Sequence, residues 1–197
     1  MGVVKYTVMS ATLEQEVKLP FESAEAARTA VLAIGATPLH GRRLQEDCLL
    51  DTTNEDLRRR RSALRVRQDG GRSLLTFKGP VQPAAVKVRE EIETVVGDGT
   101  VLMRILSELG FHVWFRYQKY REEFALDDCI IAIDETPVGV FVEIEAAPDA
   151  IDAVTTRLGR TPADHRLDSY PGLWAAWCES HGRPFGDMTF EAAANRR

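Results

Sequence analysis

The chain has 197 residues, of which 44% are hydrophobic, and a formal net charge of −5. This length and composition suit one globular domain with a core of ordinary size. The negative charge argues against general nucleic-acid binding, and no apolar run approaches the ~20 residues of a membrane span.

Targeting and cysteine patterns favour the cytoplasm. Residues 1–10 lack the basic start and apolar core of a signal peptide. The three cysteines, Cys48, Cys129 and Cys178, are odd in number and widely spaced, which predicts neither a disulfide framework nor a zinc site. We therefore expect a protein of a reducing, cytoplasmic environment.

Alternating apolar residues and turn residues predict about eight strands, with helices between and after them. Pro20 should end the first strand, Ser23 is placed to cap the first helix, and Asp69-Gly70-Gly71 forms a strong hairpin turn. In chain order we expect a strand at 12–19, a helix at 25–34, a strand at 42–51, a helical turn at 53–57, strands at 63–68, 72–78 and 85–95, a helix at 100–109, one or two strands within 111–126, strands at 129–134 and 138–146, and helices at 150–158 and 172–179. The class is α+β. Residues 182–197 should form a tail that is partly ordered at best.

Charged residues recur at every second position in several of these strands, so they share one face of each strand. The stripes comprise Glu14, Glu16 and Lys18; Arg65 and Arg67; Lys78; Lys87, Arg89, Glu91 and Glu93; Lys119, Arg121 and Glu123; and Glu143 and Glu145, with Gln45, Asp47, Thr76 and Asp134 alternating in the same way. One interpretation is the solvated outer face of a half-buried sheet. The number of stripes and their mixed signs favour a second interpretation, in which a closed antiparallel barrel gathers the charges inside.

The opposite faces of these strands are apolar, and a closed barrel would turn them outward against helices. We assign to them Leu13, Val17, Leu19, Leu64, Val66, Phe141, Ile144 and Ala146. Four consecutive arginines, residues 58–61, form either a solvated turn or a rim that attracts an anionic ligand. The aromatic residues Phe111, Trp114 and Phe115 are expected in the core rather than as a platform for a base.

A tunnel with charges of both signs suits a highly anionic ligand bridged by metal ions, because buried charges are costly unless paired or metal-bound. Carboxylates without partner histidines or cysteines suit Mg²⁺ or Mn²⁺ rather than zinc. The sequence has no Gly-x-Ser-x-Gly motif and no P-loop, which favours phosphoryl chemistry by metal and electrostatics. Without a ligand we expect the interior cations to repel one another, so that removing Arg67 or Lys119 would not destabilise the fold.

The segment Glu14-Gln15-Glu16-Val17-Lys18 resembles the ExExK signature of the CYTH superfamily, the triphosphate tunnel metalloenzymes. The resemblance covers about residues 12–175 and includes the segments 64–67, 76–78, 87–93, 119–121 and 141–145. The superfamily includes class IV adenylate cyclases, thiamine triphosphatases and inorganic triphosphatases. The resemblance implies a single domain over residues 1–197, an eight-stranded antiparallel barrel with flanking and C-terminal helices.

The resemblance also implies roles for individual residues. The first and last glutamate pairs of the family hold the metal, which assigns Glu14, Glu16, Glu143 and Glu145, with Asp134 as a further metal or water-positioning candidate. We predict that Glu14, Glu16, Lys18 and Asp134 act in catalysis with Mg²⁺ or Mn²⁺. The residues that would grip the triphosphate are Lys18, Arg65, Arg67, Lys78, Arg89, Lys119 and Arg121.

Three functions remain open from the sequence. The first is metal-dependent hydrolysis of an inorganic or organic triphosphate, which needs no dedicated ribose pocket. The second is a class IV adenylate cyclase that converts ATP to cyclic AMP and pyrophosphate. The third, a non-catalytic binder of polyphosphate or nucleotides, is disfavoured because an anion binder gains nothing from four carboxylates in its site. The expected partner is a small triphosphate, without nucleic acid or membrane, in a monomer or homodimer.

Overall fold

Residues 12–194, which the computed structural model describes, form a closed antiparallel barrel with helices around it. The strands are β1 (Thr12–Phe21), β2 (Thr37–Thr52), β3 (Ala63–Asp69), β4 (Arg72–Lys78), β5 (Lys87–Val96), β6 (Phe111–Leu126), β7 (Cys129–Thr136) and β8 (Gly139–Glu145). Around the barrel they follow the order β1-β5-β4-β3-β2-β6-β7-β8. The helices are α1 (Ala24–Ala33), α2 (Asp56–Arg59), α3 (Gly99–Glu108), α4 (Pro148–Arg157), α5 (Tyr170–Ser180) and α6 (Phe190–Ala194). The predicted α+β class and eight-stranded barrel are confirmed.

Local sequence signals account for most element boundaries. The Ser23 hydroxyl accepts a hydrogen bond from the backbone of Ala26, as its predicted capping role requires. Gly70 and Gly71 both adopt positive φ angles, 55° and 86°, in the tight turn between β3 and β4. The predicted end at Pro20 is wrong: β1 continues to Phe21, and Pro20 lies opposite Phe141 of β8. Beyond Glu16, β5 no longer pairs with β1, so the missing N–H of proline is tolerated at this edge.

The predicted inside-out arrangement of the barrel is confirmed. Val17 and Leu19 of β1, Ile131 and Ile133 of β7 and Ile144 of β8 are buried on the outer face of the barrel, in one apolar cluster with residues of α1 and α4. The alternating residues of the same strands therefore point inward. This interior is the polar tunnel that the charged stripes predicted.

A second apolar cluster packs α5 and the C-terminal segment against the barrel and is formed by Leu49, Phe115, Tyr117, Phe141, Tyr170, Trp174, Cys178 and Met188. Phe141 was assigned to the outer face, and that assignment is wrong. It lies two residues before Glu143 and so shares the inner face, where it contacts Tyr170 of α5 edge to face.

The C-terminal segment is packed rather than loosely attached, contrary to expectation. Met188 is fully buried, and its backbone exchanges hydrogen bonds of 2.9 Å with Arg116 and Gln118 of β6. The indole of Trp174 donates a 2.7 Å hydrogen bond to the Gly186 carbonyl. The polar composition of this segment gave no sign that it packs on the barrel, because its packing depends mainly on one buried methionine and on backbone hydrogen bonds.

Two further predictions concern targeting and cysteines. The three cysteines are free, as expected. Within residues 12–194, the helices are all too short or too polar to cross a membrane. The prediction for a signal peptide falls on residues 1–10, and the end of the expected tail on residues 195–197, all of which lie outside the described residues.

Met188→Ala should destabilise the protein by about 2–3 kcal/mol, because it leaves a cavity between β6 and α5. The free energy of unfolding in urea measures the change. Glu191→Ala, at an exposed position of α6, is the matched control and should change it by less than about 0.5 kcal/mol. Equal stability of the two variants would show that the segment does not dock in solution.

Candidate active site

The barrel encloses a cavity of about 720 Å³ whose wall is mainly charged. The predicted site residues that line it are Glu14, Glu16, Lys18, Arg65, Arg67, Lys78, Arg89, Lys119, Arg121, Glu143 and Glu145. Most of these side chains are buried; Lys18 and Lys119 are only 2% exposed. The alternative of a solvated outer face is therefore wrong.

The expected repulsion among the interior cations is also wrong, because each is ion-paired. Lys78 lies 2.6 Å from Glu14 and Arg89 lies 3.2 Å from the same carboxylate. Lys18 lies 3.1 Å and Lys87 2.5 Å from Glu16. The glutamates are thus ion-paired with the same lysines and arginines that an anionic ligand would contact.

Asp134 organises two of the cations from behind the cavity wall. It is fully buried, and it accepts contacts from Lys119 at 2.7 Å, Arg121 at 2.6 Å and the Tyr170 hydroxyl at 2.5 Å. Asp134 is the one predicted site residue that does not line the cavity. These contacts favour a role in positioning the cations over direct metal ligation.

Asp47 plays the same part on β2, which is separated from β7 by β6, and the sequence analysis gave it no role. Its buried carboxylate accepts hydrogen bonds from Arg67 and lies 3.4 Å from Arg65. Burial opposes ionisation, but the charges of Arg67 and Arg65 hold the pKa of Asp47 below its ordinary value. The alternation of Gln45 and Asp47 was the available signal.

The sequence also gave no role to Tyr170, which enters the barrel from α5. Its hydroxyl lies 2.9 Å from Glu143, and the amines of Lys18 and Lys119 lie 5.3 and 4.9 Å from its ring centre. Tyr170 therefore joins the two carboxylates and two lysines of this wall. A tyrosine on a C-terminal helix has no strand periodicity to reveal it.

Burial and pairing shift several pKa values. Burial lowers the pKa of Lys87 to about 8, although Glu16 acts in the opposite direction. Burial and the charge of Arg121 lower the pKa of Lys119 to about 8 as well. Burial would raise the pKa of Glu16, but Lys18 and Lys87 hold it well below its ordinary value. The site therefore keeps Glu16 ionised, while the pKa values of Lys87 and Lys119 are lowered towards neutral pH.

Glu145 differs from the other carboxylates because it forms no ion pair or hydrogen bond with a side chain among residues 12–194. Glu145 is exposed to solvent, but partial desolvation of its carboxyl and the charges of Glu14, Glu16 and Glu91 raise the pKa of Glu145 to about 7. A concentration of unbalanced carboxylates is what a hard divalent cation would relieve. The donor set thus fits Mg²⁺ or Mn²⁺, although no three acidic, histidine or cysteine side chains in the described chain are already gathered around one point.

The four arginines of residues 58–61 were expected either in a solvated turn or at a rim that attracts an anionic ligand, and the structure shows both arrangements. Arg58 and Arg61 line the cavity, together with Ser62, whereas Arg59 and Arg60 border a separate shallow pocket beside α2. The rim interpretation therefore holds for two of them. Trp114 also lines the cavity, whereas Phe111 and Phe115 lie in apolar clusters as expected.

Residues 12–158 match the model of the CYTH domain, and the chain belongs to this family. A Methanocaldococcus jannaschii protein provisionally named an adenylate cyclase is 33% identical over 105 residues, which are 53% of this chain and 60% of that protein. The aligned part thus spans less than two thirds of this relative.

Solved structures share the fold. An adenylate cyclase by provisional name from Vibrio parahaemolyticus has a TM-score of 0.73 at 20% identity, covering 84% of this chain and 99% of that one. A Hippeastrum protein, provisionally an adenylyl cyclase and described as having dominant triphosphatase activity, has a TM-score of 0.61 at 19% identity, covering 87% and 97%. At these identities the likeness establishes the tunnel fold alone.

Arg67→Ala should destabilise the protein at pH 7 by about 2–4 kcal/mol, because the buried carboxylate of Asp47 loses its bidentate partner. Unfolding in urea measures the loss, and the double variant Arg67→Ala/Asp47→Asn should recover part of it. Arg42→Ala, which breaks an exposed pair with Glu135, is the control and should cost under about 1 kcal/mol. A rise in stability for Arg67→Ala would restore the repulsion hypothesis.

Glu145→Gln should become progressively more stable than wild type as the pH rises from 4 to 8 in EDTA. The folded-state pKa of about 7 lies above the ~4.3 of an unfolded glutamate, so the wild type loses stability as pH rises through this window. Glutamine has no proton to lose. Melting temperatures across the range test this, with Glu135→Gln as control, and a difference between wild type and Glu145→Gln that does not vary with pH would contradict it.

Proposed function

We propose that the protein is a divalent-metal-dependent enzyme that binds a triphosphate in the tunnel and hydrolyses a phosphoanhydride bond. The observation that carries this proposal is the convergence of paired, buried cations and carboxylates on one enclosed cavity. A structural core has no need of such groups, since apolar residues of similar volume are at least as stabilising as buried ion pairs.

The cations suit a chain of phosphates rather than one phosphate. They come from five strands, β1, β3, β4, β5 and β6, and so surround an elongated ligand. The Nε of Arg65 lies 3.4 Å from an Asp47 oxygen but makes no hydrogen bond, so its N–H can still donate to an anionic oxygen. On binding, phosphate oxygens would replace the carboxylates as partners of Lys78, Arg89 and Arg65.

The released carboxylates would then hold the metal. We propose Glu14, Glu16, Glu143 and Glu145 as ligands for Mg²⁺ or Mn²⁺, since their oxygens match the preference of hard cations. A cation bound there would polarise the phosphoryl oxygens as a Lewis acid.

The chain's own residues supply the remaining requirements for hydrolysis. Water forms a bond to the terminal phosphorus as the bond from that phosphorus to the bridging oxygen breaks. The water loses a proton to solvent, and negative charge develops on the departing phosphate chain. Lys18, Lys119 and Arg121 would neutralise that charge, and the burial of Lys18 and Lys119 in the barrel would strengthen these interactions. Asp134 and Tyr170 hold this group in place.

Cyclisation of ATP is the second candidate, supported by the provisional name of the Methanocaldococcus relative. There the ribose 3′ oxygen would attack the α-phosphorus and pyrophosphate would leave. Incubation with tripolyphosphate, thiamine triphosphate and ATP in Mg²⁺ or Mn²⁺, followed by phosphorus NMR, separates the two. Orthophosphate release supports hydrolysis, cyclic AMP with pyrophosphate supports cyclisation, and no turnover supports the non-catalytic binder.

Glu145→Gln should lower kcat by about 10²–10³-fold, the range for loss of one preorganised electrostatic group in an active site. It keeps the shape of the side chain and breaks no ion pair, so the fold should be retained. Glu16→Gln should lose activity too, with a stability cost from Lys18 and Lys87. Metal titration by calorimetry should weaken in parallel, whereas Glu135→Gln should leave both unchanged. Full activity in Glu145→Gln would remove this residue from the metal site.

Ligands should stabilise the fold in the order tripolyphosphate, pyrophosphate, phosphate in the presence of Mg²⁺. Longer chains engage more of the tunnel cations, and a ligand at a hundredfold excess over its Kd contributes about 2.7 kcal/mol. Melting temperatures at equal concentration and moderate salt give the order. Equal shifts for the three would mean that the cations do not act on one ligand.

A further inference from the structure

The end of the tunnel near α2 carries an aromatic and apolar surface that chemistry on phosphates does not use. Trp114 and Leu49 line the cavity there, and Val81, Leu167 and Pro171 add apolar surface to the same cavity. Inorganic polyphosphate gains nothing from apolar walls. We call this end the tunnel mouth; its polar members are Arg58, Arg61 and Ser62.

Trp114 faces the tunnel because β6 carries an extra residue at this point. Leu49 of β2 pairs with Phe115, but the next residue, Leu50, pairs with Val113, which leaves Trp114 without a partner. With regular alternation, Trp114 would face outward because Phe115 faces inward. A bulge of this kind re-aims a side chain and is frequent beside active sites.

Arg58 lies over the indole with its guanidinium 4.5 Å from the ring centre. The guanidinium is held by Asp51 at 3.3 Å and Glu55 at 3.0 Å. Asp51 is fully buried and also accepts backbone N–H groups at the start of α2. The planar cation is therefore fixed against the planar ring, rather than free in solvent.

Arg61 is the second cation of the mouth. It has a left-handed φ of 56°, which places it in the turn between α2 and β3, and its side chain forms no ion pair within residues 12–194. Because the tunnel cations farther inside are all paired, Arg61 is available to the phosphate nearest the mouth.

We propose that Trp114 and Arg58 form a stacking platform for the planar organic group of an organic triphosphate, such as the base of a nucleoside triphosphate. The proposal rests on the proposed function and extends it, because it names an organic triphosphate rather than tripolyphosphate as the preferred class. Aromatic faces bind bases of any sequence by stacking, and a stacked arginine adds cation–π attraction. Arg61 would contact the phosphate that carries the organic group.

The test compares two ligands that share the phosphates and differ in the organic group. Methylene-bridged, non-hydrolysable analogues of ATP and tripolyphosphate are titrated by calorimetry in Mg²⁺. Trp114→Ala should weaken the ATP analogue about tenfold and change the tripolyphosphate analogue less than twofold. Trp114→Phe should restore most of the affinity for the ATP analogue.

Tyr120→Ala provides the matched control. Tyr120 lies on the same strand with the Arg42 guanidinium 3.7 Å from its ring centre, yet it does not line the cavity. It should affect neither analogue. If Trp114→Ala unfolds, Trp114→Phe and Arg58→Ala carry the test, since Arg58→Ala should also weaken the ATP analogue selectively.

The two proposals fail in different ways. Equal weakening of both analogues by the mouth variants, or no weakening of either, overturns the stacking platform while tripolyphosphate binding still supports the tunnel. Failure of the wild type to bind either analogue overturns the proposed function and the platform with it. Arg61→Ala should weaken both analogues, by more for ATP; a greater effect on tripolyphosphate would indicate a site for longer phosphate chains instead.

Discussion

The whole structure depends on the desolvation of matched charges inside a closed barrel. Lysines, arginines and carboxylates from all eight strands are removed from water, and this is tolerable only because they neutralise one another. Closure of the sheet supplies the low-dielectric interior, and the apolar outer face held by α1 and α4 supplies the stability. The barrel therefore holds buried charged groups that could form new ion pairs with a ligand.

The ion pairs of the free protein fall into two kinds. Asp47 and Asp134 are fully buried, do not line the cavity, and hold their cations in place. Glu14, Glu16 and Glu143 line the cavity, and in the proposed function they would exchange their cationic partners for metal while the cations bind phosphate. The anchoring carboxylates would thus keep the cations in position whether or not a ligand is bound, and only the carboxylates that line the cavity would change partners.

Much of the barrel and of its lining was predictable, because period-two alternation in a strand fixes which side chains share a face. Alternation placed Glu14, Arg65 and Glu143 each on the charged face of its strand, and the number and mixed signs of these faces indicated that they turn inward. Three features did not. Tyr170 arrives from a helix, Trp114 is turned inward by a bulge that breaks the alternation, and Asp134 obeys the alternation yet is covered by the groups it binds. Each depends on tertiary contacts that a strand-by-strand pattern does not contain.

The pairing of β1 with β8 affects how the protein can fold during its synthesis. Lys18 meets Glu143 and Glu16 meets Glu145, so the seam of the barrel joins segments made early and late in synthesis. Contacts between residues so far apart in sequence form slowly, because the chain loses loop-closure entropy before the contacts stabilise the fold. In a nascent chain, β1 therefore stays unpaired with β8, and its charges stay hydrated, until β8 has left the ribosome. The ion pairs of the tunnel can form only after the barrel is complete.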